Sequence, residues 1–266
     1  MDDLQFRELL QCLGLSWKGY RKVRGGVKKR IRRHMRQLGC RNVLEYLLAL
    51  DKNNEEKRQC ELMMTVSISR FFRDRKLWEV LEKEILPQLI EEQKEKVSAW
   101  SAGCACGEEV YSLKILWDRL GISIVHQPLL EITATDMNPD CLNRARSAAY
   151  PSSSLKELPL QLRSLYFQED SDRDLYKAKT CLKNGILWKN HNLRSYPPGS
   201  DFHLVFLRNN LLTYYKNGFK KESFEKVVDC LSDGGILIIG IHEELPCKTS
   251  RLIHYGSFPY IFKKRA

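Results

Sequence analysis

KVSAWSAGCACGEEVYSLKILWDRL, residues 96–120, begins with a short apolar run, Val97 to Trp100. It breaks at a turn bearing glycines, Ser101 to Gly107, and resumes as a helical pattern from Val110 to Leu120. Strand, glycine turn and helix make the first half of a βαβ unit. Leu129 to Thr135, Phe202 to Leu207 and Ile236 to Ile241 are further short apolar runs, each followed by a turn and a helical pattern. Strands separated by helices predict a largely parallel sheet and an α/β fold from about residue 86 to 266.

Glycines at a strand-to-helix turn let backbone approach a ligand closely and allow positive φ. The second strand ends at Thr135-Asp136, and a carboxylate there can take two ribose hydroxyls. Together these predict a nucleoside site at the carboxyl edge of the sheet. The glycine spacing is neither GxGxxG nor GxxxxGK[ST], which disfavours a dinucleotide and excludes a phosphate loop. A nucleoside without pyrophosphate, such as S-adenosylmethionine, fits better.

Upstream of the sheet the texture is helical. An amphipathic segment near 3–13, a basic helix over 27–38, Val43 to Leu50, and Glu55 to Met64 make a predicted helical N-terminal domain, residues 1–85. A linking helical stretch runs from Leu77 to Glu95, and Pro87 is expected to kink or divide it. The chain carries 44 Lys and Arg against 33 Asp and Glu, a net charge of +11. Residues 18–36 hold ten of those cations and no acid, so the remainder sums to only +1. Val27, Ile31, Met35 and Leu38 form a narrow apolar stripe, which puts Lys28, Lys29, Arg32, Arg33 and Arg36 on the flanks and opposite face. Gly25-Gly26 is read as the turn before this helix. A charge run is usually a solvated face. Like charges a turn apart repel, however, so this one reads as a docking face for an anionic partner. Charge alone leaves nucleic acid, an acidic membrane surface and a carboxylate-rich protein as candidates.

Composition bounds the rest. At 43% apolar and 29% charged residues, the chain is neither disordered nor fibrous. Its apolar runs, such as Tyr46 to Leu50, fall far short of the roughly 20 residues of a membrane span. Met1-Asp2-Asp3 is acidic with no apolar h-region, so a cytoplasmic protein is expected. Nine cysteines occur without a CxxC pair. No metal is expected, and the thiols read as reduced packing residues.

The segments Ser69-Arg-Phe-Phe-Arg-Asp74 and Trp100 through Gly107-Glu-Glu-Val-Tyr-Ser112 resemble the CheR family of S-adenosylmethionine-dependent chemoreceptor glutamate methyltransferases. Further matches follow in order. They are Ala134-Thr-Asp-Met137 with Leu142 and Ala145-Arg146, Asn192-Leu193, Phe206-Leu-Arg-Asn209, Gly234-Gly235 through Gly240 to Glu243, and Tyr260-Ile-Phe262 as a closing strand. The resemblance spans nearly the whole chain. It implies a Rossmann-like class I methyltransferase sheet, a helical N-terminal domain, and a small antiparallel β subdomain inserted at about 150–190.

It also implies roles for particular residues. Cofactor contacts fall at Ser67, Ser69, Arg73, Glu108, Glu109, Asp136, Met137, Asn192, Leu193, Arg208 and Asn209. Arg73 pairs with the cofactor carboxylate or holds the incoming substrate carboxylate near the methyl group, the catalytic role. A Glu in the first helical turn meets the cofactor ammonium, Asp136 takes the ribose, and Asn192 the adenine edge. Phe71 and Phe72 read as packing residues. His242 is given no role.

Three departures from the family pattern stand out. Ser67 and Ser69 replace the usual Asn and Thr, GEEPY is GEEVY, and the usual tyrosine position near the methyl is Thr213, with Tyr214 one residue off and expected to point elsewhere. The resemblance implies glutamate methyl esters formed on chemoreceptors, with S-adenosylhomocysteine as product. It also implies glutamate-rich receptor helices, or another acidic protein, docking on the basic helix. No membrane insertion and nothing beyond a monomer is expected. Two alternatives remain: the same fold acting on another protein or a small molecule, and a non-catalytic S-adenosylmethionine-binding module or nucleic-acid binder. The last leaves the cofactor motifs without a use.

Overall fold

The four apolar runs are strands of one sheet, and a computed structural model describes residues 1–122, 124 and 126–266. In chain order the strands are β1 (Lys96–Ala102), β2 (Leu129–Asp136), β3 (Ala149–Pro151), β4 (Phe167–Asp170) and β5 (Leu175–Ala178). They continue with β6 (Ile186–Asn190), β7 (Phe202–Leu207), β8 (Leu231–Ile239), β9 (Leu252–His254) and β10 (Ile261–Lys264). Seven of them make a mixed sheet in the order β6-β2-β1-β7-β8-β10-β9. The first five are parallel, and β10 runs antiparallel to both its neighbours. This is the expected class I methyltransferase sheet.

Its central strands are apolar on both faces because both faces are covered. Val97, Ala99 and Trp100 in β1, and Leu204 through Leu207 in β7, are all buried. One face packs on Leu81, Ile85, Val110 and Leu113, the other on Leu211, Phe224 and Val228. The strand order reverses between β1 and β7, so a crevice opens beyond their carboxyl ends. The chain past both strand ends supplies the site described below.

β3, β5 and β4 form a separate antiparallel sheet, the expected insertion. The insertion is shorter than 150–190, because β6 pairs in parallel with β2 and so belongs to the main sheet.

Five helices make an N-terminal bundle: α1 (Asp3–Cys12), α2 (Trp17–Tyr20), α3 (Arg24–Gln37), α4 (Val43–Lys52) and α5 (Asn54–Met64). Asp2 and Gln5 cap α1 reciprocally, and Asn42 and Asn53 accept the first N–H groups of α4 and α5. Phe6, Leu9, Val27, Ile31, Tyr46, Leu50, Cys60 and Met64 form the core of this bundle. Val27, Ile31 and Met35 of the predicted stripe are buried on α3, and Leu38, just past its end, is half-buried. His34 lies in the stripe too, bonded to the Tyr46 hydroxyl at 2.7 Å and Glu56 at 2.8 Å. Gly25 and Gly26 do not precede α3; they occupy its exposed first turn, where a side chain would meet open space.

The linking stretch stays helical from Arg75 to Glu92, with a π-helical segment at Leu81–Ile85. There the Leu86 N–H bonds the Leu81 carbonyl five residues back. Widening the turn just before Pro87 relieves the clash its ring would otherwise make. Leu77, Leu81, Ile85 and Leu89 pack into the sheet's core rather than onto α1–α5.

Candidate active site

The β1 turn is held by backbone and by the side chains of Asp136 and Tyr150, whose hydroxyl donates to the Cys106 carbonyl at 2.8 Å. The Gly103 and Cys104 N–H groups both bond the Thr135 carbonyl at 2.8 Å, tying the turn to the end of β2. Gly103 (φ +83°) and Gly107 (φ +89°) need the left-handed region, and a Cβ on Gly107 would come within 3.0 Å of Ala145 and Trp188. Between them Ala105 is forced to φ 49°, which aims its N–H at the Asp136 carboxylate, 2.9 Å away. The other Asp136 oxygen accepts from Asn138 N at 2.8 Å. Burial raises the Asp136 pKa against the pull of these backbone donors.

Arg208, at the end of β7, is the hub of the opposite wall. Its guanidinium donates to Glu109 at 2.8 Å and Asp74 at 2.6 Å, and to the Arg73 carbonyl at 3.3 Å. The second Glu109 oxygen accepts from Ser101 Oγ at 2.8 Å. Asn209 sits at φ 55°, and Glu243 fixes it by accepting both the Asn209 and Gly240 N–H groups, at 2.9 and 2.7 Å. Of the seven non-glycine residues at positive φ among the described residues, four, Phe72, Asp74, Ala105 and Asn209, lie in or directly beside this cleft. Strain gathered in one place is the mark of a site whose surroundings over-determine its backbone.

The cleft brings together Ser67, Ser69, Arg73, Glu109, Asp136, Met137, Leu193, Arg208 and Asn209 of the expected set. Two expected residues are not on its wall. Glu108 is turned into the protein, 4% exposed, with Oε2 lacking a hydrogen-bond partner and its pKa raised by burial. Asn192 caps its own turn by accepting from Arg194 N at 3.0 Å. The wall position beside it belongs to His191, whose Nε2 meets the Tyr196 carbonyl at 2.8 Å and whose Nδ1 is buried without a partner.

The N-terminal helices supply the remaining wall through Leu13, Leu15, Tyr20, Glu61 and Met64. Ser16 N bonds the Tyr214 carbonyl at 2.8 Å and Lys216 N the Gly14 carbonyl at 3.0 Å, so these two segments run together. Arg194 bonds Glu61 at 3.3 Å and the Leu13 carbonyl at 2.9 Å, and lies over the Tyr215 ring. Tyr214 does not point elsewhere. Its ring lies 4.9 Å from that of Tyr20 and lines the cleft, while Thr213 is outside it, bonded to Glu243. His191 and Arg194 have no sequence signal of their own. Only the pairing of distant segments places them.

The basic face divides. Lys28 and Arg24 turn back onto Asp3 of α1, and Arg30 bonds the carbonyls of Met63 and Thr65 at 2.8 and 2.7 Å. Arg32 is exposed but reaches the Met1 carbonyl. Lys29, Arg33 and Arg36 are exposed and unpaired among the described residues.

This donor set fits a nucleoside carrying an amino-acid tail. Three wall residues, His191, Arg194 and Arg208, each hold a buried nitrogen without a partner, and such orphans call for a polar ligand. Asp136 retains acceptor capacity beyond its two backbone bonds, and Met137 and Leu193 offer apolar contact to a base. Among the described residues no cluster of His, Cys, Asp and Glu suits a metal ion, and no helix is long and apolar enough to cross a membrane.

Residues 67–260 match the family model described as the CheR methyltransferase, SAM binding domain. A chemotaxis protein methyltransferase of Listeria innocua is 36% identical over 183 residues, covering 69% of this chain and 67% of that protein. The Listeria monocytogenes protein of the same name is 34% identical with the same coverage. That of Borreliella burgdorferi is 29% identical over 230 residues, covering 82% and 80%. With its sheet, its cleft and 194 consecutive residues matched, this chain belongs to the CheR family of S-adenosylmethionine-dependent methyltransferases.

Proposed function

We propose that this protein forms methyl esters on glutamate side chains of chemoreceptor proteins. The observation that carries the reading is a cleft lined by cofactor-type residues on one side and, on the other, by Leu13, Tyr20, Glu61 and Met64 of the helical bundle whose outer face carries the cations. When bound, S-adenosylmethionine supplies a methyl group already activated on a sulfonium. A glutamate carboxylate is an anion at neutral pH, with an ordinary pKa near 4.3, so no side chain is needed as a base. What the chain supplies is position.

In this reading Asp136 takes the ribose hydroxyls, while Glu109, steadied by Arg208 and Ser101, faces the ammonium. Ser67 and Ser69 hydrogen-bond the amino-acid tail, and Met137 and Leu193 hold the base with His191 at its polar edge. Among the described residues the Arg73 side chain donates one bond, to the Ile68 carbonyl at 3.0 Å. Its remaining donors serve a carboxylate, that of the cofactor or of the acceptor. Helices α1–α5 act as the docking unit and the chain from Ser67 onward as the cofactor unit, in the cytoplasm. Lys29, Arg33 and Arg36 face the glutamate-rich acceptor, an arrangement that governs encounter more than final affinity.

Reversing Arg33 and Arg36 to Glu tests this. The apparent KM for a receptor cytoplasmic fragment should rise about tenfold or more at low salt, with S-adenosylhomocysteine affinity unchanged by calorimetry. Loss of cofactor affinity instead would make α3 a structural element and remove the docking role.

A further inference from the structure

A second, outer hollow adjoins the cleft along the 69–75 loop. Arg70, Arg73 and Asn209 are walls of both spaces. Arg75, His242, Ile241 and Glu157 complete the outer one. Arg70, Arg75 and His242 are exposed, and the side chains of Arg70 and Arg75 make no hydrogen bond or ion pair among the described residues. Asp74 also borders the hollow, but its carboxylate is committed to Arg208 at 2.6 Å. Among the described residues lining the hollow, Glu157 is thus the one acid left to face three arginines. The neighbouring fold does not require those charges: Phe71, Phe72 and Trp78 anchor the loop by burial, and the arginines stand out from it. Like charges held close repel, and the repulsion is relieved when an anion enters.

Resting on the reading that the acceptor is a glutamate of a protein, we propose that this hollow binds a second acidic side chain of the same acceptor. One turn of helix separates side chains by roughly 5–6 Å. A glutamate entering the cleft past Arg73 therefore leaves a neighbour one turn away over Arg75 and His242, with Ile241, 36% exposed, against its aliphatic stem. The site selects an acceptor carboxylate that has an acidic neighbour.

Two labelled helical peptides test this by fluorescence anisotropy with S-adenosylhomocysteine present. Each carries one acceptor glutamate, with Glu or Gln placed one turn away. The wild type should bind the Glu peptide about three- to fivefold tighter at low salt, the size expected of an exposed charge pair. Arg75→Gln should erase that difference without changing S-adenosylhomocysteine affinity, and His242→Gln should leave the folded protein's cofactor affinity intact in the same way. Equal binding of the two peptides by the wild type, or an equal loss of both on Arg75→Gln, would overturn the proposal. So would an Arg75→Gln effect confined to a short DNA duplex. Methyl transfer is followed on the same peptides: discrimination without transfer to either upholds the hollow and removes the glutamate acceptor, whereas transfer without discrimination does the reverse.

Discussion

Asp136 accepts two backbone N–H groups and is still pushed above its ordinary value of 3.8, because burial outweighs them. An acid raised on folding holds its proton more tightly in the folded state. The ionised form is the one that accepts two ribose hydroxyls, so cofactor affinity should fall as pH drops through the raised value, earlier than an ordinary aspartate would allow. Asp136→Asn should weaken S-adenosylhomocysteine binding about tenfold or more at pH 7, two hydrogen bonds to a charged acceptor being at stake, and should flatten that pH dependence. Calorimetry across pH 4.5–7.5 measures both; unchanged affinity in the variant would remove Asp136 from the ribose. Glu108 obeys the same physics to a different end. Burial raises it above 4.5 and leaves one oxygen unpaired. The stability its protonated form contributes is present at low pH and lost as pH rises through the raised folded value. Glu108→Gln should therefore stabilise the protein at pH 7 by about 1 kcal/mol and converge with the wild type in acid, read from urea midpoints. A variant less stable at pH 7 would mean that the charge is supported.

At the scale of elements, the β1 turn works because its glycines permit what no side chain would. Gly107→Ala places an L-residue at φ +89° with its Cβ 3.0 Å from Ala145 and Trp188 and 3.2 Å from the Tyr150 hydroxyl. The expected cost is about 1–3 kcal/mol, measured by urea unfolding, with a weaker cofactor site. An unchanged midpoint would show that the helix at 139–147 yields without cost. The strand runs of β1, β2 and β7 were legible to within two residues, β7 because a strand covered on both faces is nearly all apolar, and β1 and β2 because short apolar runs broken by single polar residues end at turn signals. Element starts were less legible. Gly25-Gly26 reads as a turn from composition alone, yet the first turn of an exposed helix tolerates glycine for about 1 kcal/mol each. The linking helix is likewise divided by the expected boundary at residue 85, while its apolar face belongs wholly to the sheet's core.

Across the whole molecule, the cleft is a product of two packings that meet. Leu13, Tyr20 and Glu61 come from one, Asp136, Arg208 and Tyr214 from the other. Sequence motifs mark what lies just past strand ends, so Asp136, Met137, Arg208 and Asn209 were readable. They do not mark which of two adjacent loop residues turns inward, hence His191 in place of Asn192. Nor do they register a partner on a different helix, hence Lys28 drawn onto Asp3 and away from solvent. The central claim is that these surfaces together deliver a glutamate carboxylate to an activated methyl group. The direct measurement is transfer of radiolabelled methyl from S-adenosylmethionine to a receptor cytoplasmic fragment, followed by mild base. Label on the fragment released as methanol is the predicted result, since esters of glutamate hydrolyse there. Label that survives base, or none transferred by a protein that binds S-adenosylhomocysteine, would contradict it.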